Sequence, residues 1–176
     1  MMVPGFLALL LFTPLGFHIK VYANRLLSHN PTPVPERERQ LLEDYDWSLR
    51  TLEGKGYNFE ENRGQVCLIN FWASWCPPCI AEMPALQKLY NDYRDKVSFL
   101  FVARDQKDNV EAFLQKEGYD LPVYYESGLV PKQLYYGGIP TTFILDRDGR
   151  IVVSKIGTAE WNSKETRQLL DSLIAK

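Results

Sequence analysis

Two cysteines separated by two prolines, Cys76 and Cys79 in the segment WCPPC, are the residues of this chain most suited to chemistry. A pair at this spacing can bind a metal ion, close a small structural disulfide, or exchange electrons with another disulfide. The third cysteine, Cys67, lies in an apolar run, where a thiol is commonly buried and inert. Since the three chemistries need different surroundings, the neighbouring residues discriminate between them.

The first two chemistries find little support in the rest of the sequence. A structural zinc site needs about four ligands, but there is no second CxxC, and the histidines of the chain, His18 and His29, precede the predicted domain. A structural disulfide at this spacing closes a very short loop and so constrains little of the unfolded chain. The pattern therefore favours a redox pair over a metal site or a static cross-link.

Each residue of the WCPPC segment fits that redox interpretation. Cys76 follows an apolar run and precedes a predicted helix, whose free N–H groups and positive dipole end stabilise a thiolate. Cys79, one helical turn later, can reach Cys76 while being shielded from solvent, so it is the predicted resolving thiol. Pro77 and Pro78 suit a first helical turn, where N–H groups lack partners, and Trp75 can cover one edge of the disulfide.

The elements that must position this pair are predicted from hydrophobic patterning. Residues 65–73, QVCLINFWA, are an almost unbroken apolar run, typical of a strand buried on both faces, and a helix is predicted over about 77–93. The other elements follow from alternation, apolar runs and turn residues: a hairpin at 47–52 and 57–59, a strand at 97–103, a helix ending at Gly118, a short strand at 121–125, a hairpin over 141–156, and a last helix opened by a capping box at 162–165.

This order predicts an α/β fold with a central mixed β-sheet flanked by helices and an N-terminal β-hairpin extension. The segments NFWASWCPPC and GGIPTTF resemble the thioredoxin superfamily, and CPPCIAEMP is similar to the TlpA-like (ResA-like) thiol–disulfide oxidoreductases. The resemblance covers residues 47–176 and implies a thioredoxin-like fold. It also implies that Pro140 follows a cis peptide bond facing the disulfide, and that Ile139 offers its backbone to an extended substrate.

The interpretation of two polar residues near the motif also depends on this resemblance. Thioredoxins themselves carry a buried aspartate in the strand before the motif, where this chain has Asn70, which cannot take a proton. TlpA-like proteins commonly carry a glutamate three residues after the second cysteine, and Glu82 stands there. We expect Glu82 to help move the proton of Cys79. The alternative is that Glu82 has no part in proton transfer and is present because the helix dipole favours a carboxylate near the N-terminus of a helix.

The N-terminal part of the chain has a different composition. Residues 3–17 carry no charge, a length that suits a signal-peptide core of about 7–15 residues and falls short of the about 20 that a transmembrane helix needs. A retained anchor is favoured, with a cleaved signal or an apolar helix docked on the domain as alternatives. The prolines at 31, 33 and 35 suggest a spacer. The predicted division is therefore an anchor or signal at 1–27, a linker at 28–39 and the thioredoxin-like domain at 40–176.

Together these features predict a membrane-tethered reductase of protein disulfides on the extracytoplasmic (periplasmic) side of the cell envelope, or a secreted soluble protein if the N-terminus is cleaved. The family resemblance implies a membrane electron donor, and cytochrome c maturation is a candidate pathway. No dissociable cofactor or metal is expected.

The net charge of −2 and the lack of a cluster of basic residues argue against nucleic-acid binding. A thiol peroxidase and a tethered metal-binding or chaperone module remain the alternatives, although the Thr-containing peroxidatic loop and a domain histidine are both missing.

Overall fold

The computed structural model describes residues 13–176, so most of the apolar segment at 3–17 lies outside the described residues. The described part contains helices and strands in alternation, closely following the predicted order. The helices are α1 (Pro14–Leu26), α2 (Pro77–Tyr93), α3 (Lys107–Glu117) and α4 (Lys164–Ile174); the strands are β1 (Ser48–Thr51), β2 (Gly56–Asn58), β3 (Cys67–Trp72), β4 (Ser98–Ala103), β5 (Val123–Glu126), β6 (Thr141–Leu145) and β7 (Ile151–Ile156).

These strands form a single mixed sheet in the order β2-β1-β5-β4-β3-β6-β7. Strands β3, β4 and β5 are parallel, β6 and β7 add an antiparallel hairpin beside β3, and β1 pairs antiparallel with β5. The predicted fold class is confirmed, and the structure adds that the N-terminal hairpin extends the central sheet. Helix α3 ends at Gly118, as predicted, because that residue takes the left-handed conformation with a φ of 70°.

Strand β3 is the centre of the fold because apolar side chains cover both of its faces. Leu68 and Trp72 belong to the core under α2, whereas Ile69 and Phe71 belong to a second core on the opposite face of the sheet. Every residue of the strand is buried, as expected for a strand with neighbours on both sides and layers above and below. This packing fixes the position at which the chain leaves β3 and enters the WCPPC segment.

The start of helix α4 differs from the prediction by one residue. The capping box was expected to begin at Asn162, but the N-cap is Ser163, whose side chain accepts a hydrogen bond from the Thr166 N–H at 3.1 Å. The Oδ1 atom of Asn162 accepts instead from Arg167 Nε at 2.9 Å. The short serine side chain reaches the free N–H of the first turn, while the asparagine lies one residue outside it.

The segments before the hairpin lie against the domain. The Nε atom of Arg25 in α1 donates to the carbonyl of Ala81 in α2 at 3.3 Å. Further along, the Val34 N–H donates to the Val152 carbonyl at 2.7 Å, which places the proline-rich segment beside edge strand β7. The division of the chain at residues 27 and 39 stays a prediction. Within residues 13–176, none of the helices combines the length and apolar character needed to cross a bilayer.

Candidate active site

Cys76 and Cys79 form a disulfide at the start of α2, with their Sγ atoms 2.16 Å and their Cα atoms 5.2 Å apart. Cys76 is the N-cap residue of the helix, and its Sγ accepts a hydrogen bond from the Cys79 N–H at 3.3 Å. Pro77 and Pro78 occupy the first turn, where a missing N–H costs nothing. Both cysteines are buried, but Cys76 keeps 3% of its surface exposed and Cys79 none.

A cis peptide bond lies directly against this disulfide. The bond between Ile139 and Pro140 is cis, which confirms the prediction, and the Cys76 Sγ is 3.9 Å from the Ile139 carbonyl oxygen. The sheet produces this proximity, because Thr141 at the start of β6 pairs with Phe71 near the end of β3. The residues that precede β6 therefore meet the residues that follow β3.

The loop between β3 and α2 is held by an aspartate that the sequence reasoning missed. Asp105 accepts hydrogen bonds from the N–H of Ser74, at 3.2 Å, and from its hydroxyl, while Trp75 projects from the same loop and is 60% exposed. Partial burial raises the pKa of Asp105, but the bonds from Ser74, Asn109 and Gln106 outweigh it and lower that pKa overall. Asp105 follows the buried strand β4, and polar residues at the carboxyl ends of parallel strands commonly lie at the site.

Glu82 lies one turn beyond Cys79 on α2 and is 3% exposed. Its Oε1 accepts from Asn70 Nδ2 at 2.9 Å, and its Oε2 accepts from Trp161 Nε1 at 2.8 Å and from the Ala159 N–H at 3.3 Å. Burial raises the pKa of Glu82 to about 8, although the three hydrogen bonds act in the opposite direction. The carboxyl is therefore poised to gain or lose a proton near neutral pH.

Asn70 connects this carboxylate to the strand that follows the cis proline. Its Nδ2 donates to the Thr142 hydroxyl at 2.8 Å as well as to Glu82, and its Oδ1 has no hydrogen-bond partner among the described residues. The sequence singled out Glu82 and Asn70, but it gave no signal for Trp161 or Ala159. Those residues come from the segment after β7, and only the tertiary structure brings them to the site.

Replacing Trp161 with phenylalanine should raise the pKa of Glu82 above its value of about 8, because the indole N–H is one of the donors that stabilise the carboxylate. The carbonyl stretching band of the protonated carboxyl, followed by infrared spectroscopy across pH in the oxidised protein, reports this titration. Trp47→Phe is a matched control, since the Trp47 Nε1 is buried without a hydrogen-bond partner in the described part. An unchanged titration in Trp161→Phe would contradict the assignment of this donor.

Cys67, the remaining cysteine, lies on the other face of the sheet. It is 1% exposed and outside the disulfide, and burial raises the pKa of its thiol to about 12. A thiol that stays protonated is a poor nucleophile, which agrees with the expectation of a buried, inert cysteine. In the described residues, no group of three or more histidine, cysteine, aspartate or glutamate side chains is arranged to hold a metal ion.

Comparison with known proteins identifies relatives of this chain. Residues 33–172 match the Redoxin family. The chain is 35% identical over 130 residues to the thioredoxin-like protein YneN of Bacillus subtilis, covering 72% of this chain and 75% of YneN. It is 33% identical over 168 residues to the thiol–disulfide oxidoreductase ResA of Geobacillus thermodenitrificans, covering 94% of this chain and 91% of ResA.

A solved structure with the same fold supports this relationship. The crystal structure of StoA from Bacillus subtilis superposes with a TM-score of 0.56 at 30% identity, covering 74% of this chain and 96% of StoA. The shared fold, the disulfide at the start of α2 and the cis proline facing it occur together with these similarities. The chain therefore belongs to the Redoxin family and, within the thioredoxin superfamily, to the TlpA/ResA-like thiol–disulfide oxidoreductases.

Proposed function

We propose that this thiol–disulfide oxidoreductase is a reductase of protein disulfides that works in the cell envelope and is attached to the membrane through its N-terminal segment. The observation that carries the proposal is the disulfide at the start of α2, in which Cys76 keeps a small exposed surface beside the cis proline and Cys79 keeps none. Cys76 takes the position open to a substrate, 3.9 Å from the Ile139 carbonyl, and Cys79 lies fully buried behind it.

In the first step, the reduced enzyme attacks its substrate through Cys76. The Cys76 thiolate bonds to one sulfur of the substrate disulfide, the disulfide breaks, and the other substrate sulfur leaves as a thiolate. The Cys79 N–H, which donates to the Cys76 Sγ, and the positive dipole end at the start of α2 stabilise the attacking thiolate. The product is a mixed disulfide between enzyme and substrate.

In the second step, Cys79 releases the substrate. Its thiol gives up a proton, the resulting thiolate attacks the Cys76 Sγ, and the second substrate sulfur leaves, so that two electrons have passed to the substrate. Glu82, in the fraction that is ionised near pH 8, is proposed to take that proton, because its pKa of about 8 lies close to the about 8.5 of an ordinary thiol. A transfer between groups of similar acidity costs little free energy.

The residues around the sulfurs are proposed to bind the substrate. The backbone of Ile139 is proposed to form hydrogen bonds with an extended segment of the substrate. Pro140 has no N–H, so these backbone hydrogen bonds stop at Ile139, next to Cys76. Trp75, 60% exposed, adds an apolar surface on the other side of the disulfide. Pro77 and Pro78 stiffen the turn that joins the two cysteines.

The location and partners in this proposal rest on chemistry and on the relatives. Protein disulfides persist in oxidising compartments outside the cytoplasm, and residues 1–12 are uncharged, as a membrane segment requires. A reductase in such a compartment needs electrons from a membrane donor. Cytochrome c maturation is one candidate pathway; a relative 32% identical is named a sporulation thiol–disulfide oxidoreductase, so pathways differ among relatives.

Reduction of insulin by the protein, with a small dithiol supplied to keep Cys76 and Cys79 reduced, tests the proposed direction of electron flow. We expect catalysed precipitation of the insulin B chain, and no comparable consumption of hydrogen peroxide by the same preparation. Peroxide consumption without insulin reduction would favour the thiol peroxidase, and tight copper binding without either activity would favour a metal-binding module. Retention of the full chain in membranes washed at alkaline pH, together with protease access from the outer side, tests the proposed location.

A further inference from the structure

Helix α1 has two opposite faces, and one of them is packed on the domain. The inner face contains Gly16, Phe17, Val21 and Asn24, which are buried or half-buried. Phe17 and Val21 line a cleft of about 380 Å³ between α1 and the active-site end of the domain, and Tyr22 also contributes to its lining. At the other end of the same helix, Arg25 donates to the Ala81 carbonyl of α2.

The other face of α1 is apolar and exposed. We call it the outward stripe; it consists of Leu15, Ile19, Tyr22 and Leu26, which are 60%, 45%, 62% and 68% exposed. At about 100° per residue, these positions fall within an arc of about 60°, and the inner face lies on the opposite side of the helix. A soluble domain would normally place polar residues on such a surface. Apart from Tyr22, which also lines the cleft, the residues of the stripe are exposed and face no other part of the described chain.

The charge pattern around the stripe indicates what covers it. Residues 1–35 contain Lys20 and Arg25 and no aspartate or glutamate, whereas the whole chain has a net charge of −2. The stripe is also continuous in sequence with the uncharged residues 1–12. An apolar helix face that includes a tyrosine, on a helix that carries cations and no anions, suits the interface of an anionic lipid bilayer. A second copy of the chain would bring like charges together.

We infer that α1 lies along the surface of an anionic membrane, with the outward stripe inserted among the lipid headgroups. The inference rests on the membrane attachment proposed above and goes beyond it. Because the inner face of α1 is packed on the domain, and residue 34 is bonded to β7, the domain is held at the surface in one orientation. The active-site helix α2 is then separated from the lipid by about one helix diameter, ~10 Å.

Accessibility of a fluorophore on α1 tests this arrangement. The full chain carrying Tyr22→Cys is labelled while oxidised, when Cys76 and Cys79 are paired and Cys67 is buried, and is reconstituted into vesicles of phosphatidylcholine and phosphatidylglycerol. We expect brominated lipid to quench the label and the Stern–Volmer constant for aqueous iodide to fall about tenfold relative to the lipid-free protein. A label at Ser172→Cys, exposed on α4, should respond to iodide and not to brominated lipid.

A charge substitution supplies an independent readout. Leu26→Glu should restore iodide access at position 22, whereas Leu129→Glu, at a 93% exposed leucine outside α1, should not. Iodide access at position 22 in protein that floats with the vesicles would overturn the inference and leave the membrane attachment intact. Protein that fails to float would contradict both. Protection of position 22 without lipid would assign the stripe to a second copy, and protection of both labels would overturn the fixed orientation.

Discussion

Replacing Cys79 with serine should leave the enzyme covalently joined to its substrate. Cys76 keeps its place at the start of α2 and still attacks, but no second thiolate remains to break the mixed disulfide. Turnover of insulin should fall to the uncatalysed background, and a disulfide-linked adduct of enzyme and substrate should accumulate. Non-reducing gels and mass spectrometry of the adduct measure this outcome and locate the link at Cys76.

Two further variants make this result specific. Cys76→Ser should be equally inactive but form no adduct, because Cys79 is 0% exposed and a substrate disulfide cannot reach it. Cys67→Ala removes the remaining thiol, which lies on the opposite face of the sheet, and should keep the activity even if the protein melts at a lower temperature. An adduct formed through Cys79 in the Cys76→Ser variant would contradict the assigned order of attack.

The second large effect is expected at Glu82. Glu82→Gln keeps the size of the side chain but cannot take a proton, so the resolving step should slow about 10²-fold near pH 8, where part of Glu82 is ionised. This is the usual scale of general acid–base catalysis. Stopped-flow Trp fluorescence can separate formation of the mixed disulfide, which should be little affected, from its resolution. Glu160→Gln is the matched control, because Glu160 lines the same 230 Å³ pocket as Glu82 and has no proposed role.

The pH dependence of stability distinguishes a proton-binding Glu82 from a merely structural one. Its pKa is raised from 4.5 to about 8 on folding, so between these values the folded state keeps a proton that the unfolded state releases. The unfolded state then binds fewer protons, and the free energy of unfolding should fall as the pH rises from about 5 to 8. Glu82→Gln should remove this slope.

Urea unfolding of the oxidised protein at several pH values measures the slope. The glutamine side chain brings an NH₂ group toward the donors of Asn70 and Trp161, which lowers stability by a constant amount; the change with pH is therefore the informative quantity. A slope of the same size in wild type and Glu82→Gln would show that folding does not raise the pKa of Glu82, and would remove the match with the thiol pKa on which its role as the acceptor rests.

Local patterns in the sequence determined much of the fold. The apolar run at 65–73 indicated a strand buried on both faces, the two prolines after Cys76 marked the first turn of a helix, and the alternation over 141–156 indicated the last hairpin. These features are readable because each depends on residues that are near one another in sequence. The position of the redox pair follows from them, since the helix begins where the buried strand ends.

The tertiary structure alone decided the surroundings of the pair. Cys79, Glu82 and Asn70 are close in sequence, but the donors on Glu82 include Trp161 and Ala159, which lie 79 and 77 residues further along the chain, beyond β6 and β7. The same is true of Asp105 beside Ser74, and of α1, whose docked face the sequence could not distinguish from a membrane anchor. Local pattern reports whether a residue is buried, whereas the acidity of a buried carboxyl depends on which distant groups donate to it.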